Sequence, residues 1–357
     1  MKVLYFSVNM QKYTSASYQQ DFINCLKKKV DVVFWGPGYE NFDINLDLSS
    51  IKKKLFISDN DCIIVGHSWL SDIPINNNSN YKNYYKWIEQ KLIKNSIEYC
   101  GEINFVEHKG PKLFFLNKEY VSLDEKLNFA KKNNFDYVLT SNINFKDYEK
   151  KTNLKFIFFP HAITEDFIYK NKTKKKYDLF FSGLIQNQYF FNQNKIKSSR
   201  ILIQKELFFT FFDIPILKKN FKNKIFWNAY TGIGYRDFIL KILRKYKRLP
   251  RIEYIKKLHE SKVVINTLSP DNLIGPRFYE TMISKAICLC EDSKVIKNIF
   301  EPMEHYVPLN SIDEISEKLN FCLSDSHIIK KIRNNAYNYV ISNHTYDKRA
   351  EQILKLI

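Results

Sequence analysis

The sequence predicts an α/β protein built from two tandem, doubly wound halves. Three observations carry that reading. Short apolar runs alternate with amphipathic stretches, as in a parallel sheet with helices on both faces. The alternation stops near Pro160 and restarts at Tyr177, across the polar, lysine-rich stretch 170–176. The chain also has 357 residues, more than the roughly 250–300 residues at which single cores stop growing.

Taken in order, the first half offers apolar runs at 2–7, 31–35, 62–66, 112–116, 137–140 and 155–159, each read as a strand. Amphipathic segments at 18–28 and 124–132 are read as helices between them. The Asn/Ser tract at 76–80 is a polar loop. In the second half the alternation restarts over 177–183, and later strands are expected at 224–227, 262–266, 286–290 and 306–309. Helices are expected at 194–206, 236–246, 250–260, 276–284, 312–323 and 327–342. A last helix, 346–357, is expected to return to the first half. The domains so read are 1–170, 171–345 and this terminal helix. Two such halves place a cleft between them, and ligands of open parallel sheets bind beyond the carboxyl ends of the strands.

Composition narrows the classes. No run of about 18 uncharged apolar residues is present, so no spanning helix is expected. The opening Met1-Lys2-Val3-Leu4-Tyr5-Phe6-Ser7 reads as a strand rather than a signal peptide. The chain is therefore expected in the cytoplasm, including the inner face of the membrane. Cys25, Cys62, Cys100, Cys288, Cys290 and Cys322 form no Cys-x-x-Cys pair. They read as buried free thiols, not as a zinc site.

The net charge is +18, with 56 Lys/Arg against 38 Asp/Glu. Residues 171–260 hold 21 of the basic residues and 6 of the acidic ones. This block reads either as a solvated lysine-rich surface or as an attraction to an anion. The anion would be a donor diphosphate, a phospholipid surface, a phosphorylated glycan or a nucleic acid. Only 8 of the 56 are arginine, which argues against reading of DNA bases, where Arg to guanine is the commonest contact.

The second half carries a motif. The run Gly275-Pro276-Arg277-Phe278-Tyr279-Glu280-Thr281-Met282, continuing to Cys290, resembles the donor-site signature of the group 1 glycosyltransferases, in the form of their spore-maturation-like branch. The ending His344-Thr345-Tyr346-Asp347-Lys348-Arg349-Ala350-Glu351 is similar to the C-terminal helix of that branch. The resemblance extends over 177–357, and is thinner before it, at Trp35-Gly36-Pro37-Gly38-Tyr39 and Pro160-His161-Ala162. It implies the GT-B fold, two Rossmann-like domains facing a central cleft. It also implies a hexosyltransferase-type activity on a nucleotide-diphosphate sugar, used as co-substrate with no metal, in polysaccharide or glycoconjugate synthesis.

By the same resemblance Glu280 binds the donor ribose, for which a carboxylate accepting two hydroxyl hydrogens is suited. A solvent-facing helix glutamate is the plain alternative. Arg277 shares a helix face with Glu280, because i and i+3 are neighbours. It either holds the diphosphate or pairs with Glu280. Group 1 enzymes often carry an acidic residue eight positions before this glutamate. Here Asn272 stands there, with Asp271 one residue off, so the sugar is left open.

Phosphates also favour unhindered backbone amides. Ser182 and Gly183 are expected as a turn after the first strand of the second half. Gly275 opens the signature helix, and Thr231-Gly232-Ile233-Gly234 is a second turn. Lys195, Lys197, Arg200 and Arg236 are candidate neutralisers of the leaving diphosphate. On the acceptor side, His67 and His161 follow strands and are candidate bases or hydrogen-bond donors. Structural histidines are the alternative for both. The Trp35–Tyr39 turn offers aromatics either for stacking on a sugar or for packing. A glycan or lipid-linked acceptor follows from the resemblance. Two other readings stay open: a phage-type DNA-modifying glucosyltransferase, motivated by the basic block, and a non-catalytic sugar- or polyanion-binding protein.

Overall fold

A computed structural model of the chain describes residues 1–9, 17–43, 45–67, 103–117, 119, 123–169, 173–184, 225–230, 249–269, 272–311 and 314–357. The expected loop 76–80, the helices 194–206 and 236–246, and the turn 231–234 lie outside these residues. So do Lys195, Lys197, Arg200, Arg236, Asp271, Cys100 and most of the basic block.

The chain divides into two compact units, Met1–Pro160 with Tyr346–Ile357, and His161–Thr345. In the first, strands β1 (Lys2–Phe6), β2 (Asp31–Trp35), β3 (Cys62–Val65), β4 (Lys112–Leu116), β5 (Tyr137–Thr140) and β6 (Lys155–Phe158) form one parallel sheet in the order β2-β1-β3-β4-β5-β6. The middle strands read as near-continuous apolar runs, Cys-Ile-Ile-Val in β3 and Lys-Leu-Phe-Phe-Leu in β4, and every residue of both is buried. That pattern belongs to a parallel sheet covered on both faces. Buried Lys112 is tolerated because its ammonium donates to the Phe105 and Asn133 carbonyls, at 3.3 and 3.2 Å.

Helices α1 (Ser17–Lys27), α2 (Leu48–Lys54), α3 (Leu123–Lys132) and α4 (Lys146–Thr152) connect the strands. Sequence reading missed α2 and α4, seven-residue helices whose two turns carry too little amphipathic pattern to stand out. Asp47 caps α2 by accepting from the Ser50 amide at 2.8 Å, the usual device of a helix start.

In the second unit, β7 (Tyr177–Leu184), β8 (Ile225–Tyr230), β9 (Ser261–Asn266), β10 (Ile287–Glu291) and β11 (Val307–Leu309) form a parallel sheet in the order β11-β10-β9-β7-β8. Its described helices are α5 (Arg251–His259), α6 (Pro276–Ile283), α7 (Lys294–Lys297), α8 (Ile315–Leu323) and α9 (His327–Asn343). The buried core on one face joins Leu179, Val263, Ile265, Ile287 and Leu289 to Ile315, Leu319, Ile329 and Ile332.

The terminal helix α10 (Tyr346–Leu354) lies against α1 of the first unit. Arg349 Nε donates to the Pro160 carbonyl at 2.8 Å, Gln352 Nε2 to the Phe158 carbonyl at 3.2 Å, and Lys29 pairs with Glu351 at 3.1 Å. The division falls at Pro160–His161, ahead of the polar stretch 170–176. Residues 161–169 are tied to the second unit: the Ile163 amide donates to the His344 carbonyl, the Tyr169 amide to the Ile283 carbonyl, and a His259 ring nitrogen bonds the Phe167 carbonyl. A backbone bonded into a domain belongs to it, whatever the polarity of the residues that follow.

Cys25, Cys62, Cys288, Cys290 and Cys322 are free and buried. Burial pushes the Cys25 thiol up to about 11 and the Cys322 thiol up to about 12. Among the described residues no helix is long and apolar enough to cross a membrane.

Candidate functional site

In the second sheet the strand order reverses direction between β7 and β9. Ligands of doubly wound sheets sit at such a switch point, beyond the carboxyl ends of the strands. Ser182 and Gly183 lie on the β7 side of it. They are not in a turn, as expected, but inside the strand, in register with Asn228 and Ala229 of β8. The ladder runs on because β8 itself extends to Tyr230.

Glycine at 183 has a steric cause. A Cβ built there would overlap the Arg277 guanidinium, whose Cζ stands 5.3 Å from the centroid of the Phe181 ring. Arginine and β7 thus meet at backbone distance, and any side chain at 183 would displace the guanidinium. Arg277 Nη1 is buried and has no hydrogen-bond partner. Such a donor costs free energy until a ligand or water accepts from it.

Arg277 sits in the first turn of α6. Gly275 is its N-cap, in extended backbone, and Pro276 occupies the first helical position, where the missing amide hydrogen costs nothing. Its N-cap offers no side-chain hydrogen bond to the first amides, which are left for other partners. A Cβ at Gly275 would meet only Ser269 Oγ at 3.6 Å; close packing does not demand glycine here.

Glu280 lies one turn on, half-buried. Sequence reading left Arg277 to hold phosphate or to pair with Glu280. The two converge on a residue it did not single out. Tyr254, from α5, donates its hydroxyl to Glu280 Oε2 at 2.8 Å, and the Arg277 charge bears on the same hydroxyl. Burial, and then the Glu280 carboxylate, push the Tyr254 hydroxyl well above its ordinary value. It therefore stays protonated and donates. The only hint in the sequence was the amphipathic segment 250–260; nothing in it says which residue faces α6.

Asn272 is exposed, with φ 58. It lies in the tight loop closed by the Ser269 amide donating to the Leu273 carbonyl at 2.8 Å. Asparagine is among the few side chains that accept this left-handed backbone, so the turn alone accounts for the residue type.

The first sheet reverses between β1 and β3. His67 follows β3 there, its ring stacked on Phe115 at 4.0 Å. Gly66 is needed because a Cβ would run into the Tyr5 ring. Of the Trp35–Tyr39 turn, Trp35 is wholly buried and Tyr39 stacks on Phe34 at 5.2 Å, with its hydroxyl 3.2 Å from Ser7 Oγ. Packing therefore engages both of these aromatics. His161 is half-buried and opens the second unit.

One polar cluster at this edge escaped sequence reading. Buried Glu119 accepts from Thr140 Oγ1 through one oxygen. Through the other it accepts from Asn142 Nδ2 at 2.9 Å and Tyr148 Oη at 3.0 Å. Burial raises its carboxyl above the usual carboxylate range, against those three hydrogen bonds. Among the described residues no group of three or more His, Cys, Asp or Glu side chains is placed to hold a metal ion.

The fold has known counterparts. Anabaena HepE, solved with UDP and glucose, matches at 10% identity with a TM-score of 0.59, over 99% of this chain and 98% of its own. A β-glucosyltransferase described as a DNA modifying enzyme matches at 14% identity and 0.58, over 100% and 99%. TarM matches at 13% and 0.54, over 86% of this chain but 56% of its own length. The chain has the GT-B fold. Within it, residues 217–355, which include α6 and α10, match the family described as glycosyl transferase-like. No curated protein sequence matches the chain. The switch point of this GT-B chain's second sheet is thus lined by an arginine with an unmet donor, a glycine that admits it, and a glutamate oriented by a tyrosine.

Proposed function

We propose that the chain is a glycosyltransferase that moves a sugar from a nucleotide-diphosphate sugar to an acceptor hydroxyl. The observation that carries this is the unmatched Nη1 of Arg277, whose guanidinium packs on Gly183 beside the Tyr254-held Glu280. A diphosphate supplies the acceptor oxygens that the guanidinium lacks. Ribose hydroxyls supply donors to Glu280. The first amides of α6 add a favourable field for the anion. The match of 217–355 to a glycosyl transferase-like family and the GT-B fold support the class of reaction. Fold alone would not fix it.

Within that class we assign the chain to the spore-maturation-like branch of the group 1 enzymes, on Gly275–Cys290 and the His344–Leu354 ending. Transfer is taken as retaining and metal-independent. The leaving phosphate accepts the acceptor proton while Arg277 offsets its charge. Ser182, Gly275 and Asn272 line the donor side. His161 and His67 are the residues proposed to meet the acceptor hydroxyl, and the stacking of His67 on Phe115 favours His161. The acceptor is read as a glycan or lipid-linked glycan of surface polysaccharide synthesis, reached in the cytoplasm or at the inner membrane face.

The test is release of nucleoside diphosphate from a panel of nucleotide sugars, beginning with UDP-glucose. At least one sugar should be hydrolysed slowly without acceptor, and Glu280→Ala should abolish that. If no nucleotide raises the Tm and Glu280→Ala is silent, the proposal fails. A second reading rests on the full-length likeness to the DNA-modifying β-glucosyltransferase and on the basic block. It expects salt-sensitive DNA binding and glucosylation of hydroxymethylated DNA.

A further inference from the structure

The amino edge of the second sheet, opposite the donor site, carries a cluster that the proposed reaction does not use. Lys175 lies two residues before β7 and Lys285 two residues before β10. Both therefore stand where strands enter the sheet. Lys285 follows α6 at its far end, while Arg277 and Glu280 belong to its beginning and middle. Eight residues of helix rise about 12 Å, so the two places are distinct. Arg333 comes from α9, which packs against α6.

Two of these charges bear on the third. The charges of Arg333 and Lys285 both weigh against protonation of Lys175. The Lys175 ammonium donates to the Ser284 carbonyl at 3.1 Å and lies 4.7 Å from the centroid of the Tyr169 ring. The Lys285 ammonium lies 4.7 Å from that of Tyr337. Arg333 Nε is buried and has no hydrogen-bond partner. Desolvation, then these neighbours, push Lys175 down to about 7, and burial also lowers Arg333.

Among the described residues no carboxylate pairs with any of the three. Asp325 is the one acid whose charge bears on Arg333, and it is already paired with Lys330 at 3.1 Å. Four further acids of this unit have their own cations: Glu260 with Lys176, Glu304 with Lys331, Asp292 with Lys297 and Asp178 with Lys262. Tyrosine faces soften the ammonium charges but offer nothing to an arginine nitrogen that lacks an acceptor. Like charges gathered in a half-buried place destabilise a fold unless an anion joins them.

We propose that Lys175, Lys285 and Arg333 form a second anion site, at the amino edge of the C-terminal sheet, for a phosphate group. Two ammonium groups and a guanidinium match the charge and the several oxygens of a phosphate better than a single carboxylate does. The phosphate is carried either by a soluble molecule or by a phospholipid headgroup. The site gives part of the basic block a function distinct from donor binding.

The test follows thermal unfolding of the full chain against inorganic phosphate at constant ionic strength, beside flotation with phosphatidylglycerol or phosphatidylcholine vesicles. A soluble ligand predicts a saturable rise in Tm that persists in Arg277→Gln and is lost in Arg333→Gln and Lys175→Met. A headgroup predicts binding to phosphatidylglycerol vesicles alone, lost in the same two variants, with no response to free phosphate. In either case both variants, without phosphate, are at least as stable as the parent, because like-charge repulsion is relieved. The proposal is overturned if neither probe binds. It is also overturned if binding survives both substitutions, or if both variants are less stable than the parent without phosphate, as a purely structural cluster would be.

Discussion

The carboxyl edges of the two sheets hold carboxylates of opposite character. At the first, Glu119 is buried and receives three hydrogen bonds from Thr140, Asn142 and Tyr148. At the second, Glu280 is half-buried, and the arginine beside it keeps a buried donor with no acceptor. The first cluster is closed on itself and ties the start of the loop after β5 to the segment after β4. The second is organised yet incomplete. A polar group satisfied within the chain contributes to the fold; one left unsatisfied at a sheet's carboxyl edge can take its partner from a ligand or water.

That contrast can be broken by substitution, and the largest effect is expected at the closed cluster. Glu119→Ala leaves three donors unmatched, two of them on buried residues, and should cost about 2–4 kcal/mol of stability by urea denaturation. Loss of transfer at unchanged stability would instead make this edge catalytic. Glu280→Ala should do the reverse. Stability stays near the parent's, while affinity for the nucleoside diphosphate falls about 10- to 100-fold by calorimetry, or about 1.5–3 kcal/mol.

Gly183→Ala sharpens the same edge. The strand tolerates alanine, but the Arg277 guanidinium must move, so nucleotide affinity should drop about tenfold with the circular dichroism spectrum unchanged. Tyr254→Phe removes one hydrogen bond to Glu280. It should cost about 1 kcal/mol in nucleotide binding, roughly fivefold, and equal binding would show that Glu280 needs no such support.

At the amino edge the expected effect reads as a slope of stability against pH. In the folded chain Lys175 is pushed down to about 7, while an unfolded lysine titrates near 10.4. Between these values the unfolded state binds more protons, so the lysine's penalty fades and stability rises with pH. Lys175→Met should flatten that rise between about pH 7 and 10 in thermal melts. Phosphate bound at the cluster should weaken the same slope in the parent, by favouring the charged lysine.

Most of the strands were legible because a parallel sheet buried on both faces writes itself as short apolar runs. The expected 31–35, 112–116 and 137–140 coincide with β2, β4 and β5. Helices α2 and α4 were not legible, since seven residues carry too little periodicity. The end of β7 was misread at Ser182-Gly183, because glycine after an apolar run signals a turn unless a neighbouring strand continues the ladder. The motif named Arg277 and Glu280, and helical spacing placed them on one face.

What the sequence by itself determined, then, was the alternation of elements, the start of α6 at Gly275-Pro276, and the placing of Arg277 and Glu280 on one face of that helix. Those are properties of local period and of residues near in the chain. Tertiary structure alone decided that Tyr254 holds Glu280, that Gly183 exists to admit Arg277, and that Thr140, Asn142 and Tyr148 close around Glu119. It also gathered Lys175, Lys285 and Arg333, which are separated by over a hundred residues at the first step and nearly fifty at the second. Such contacts depend on strand order and on the face each helix turns inward, which are fixed only when the whole sheet assembles.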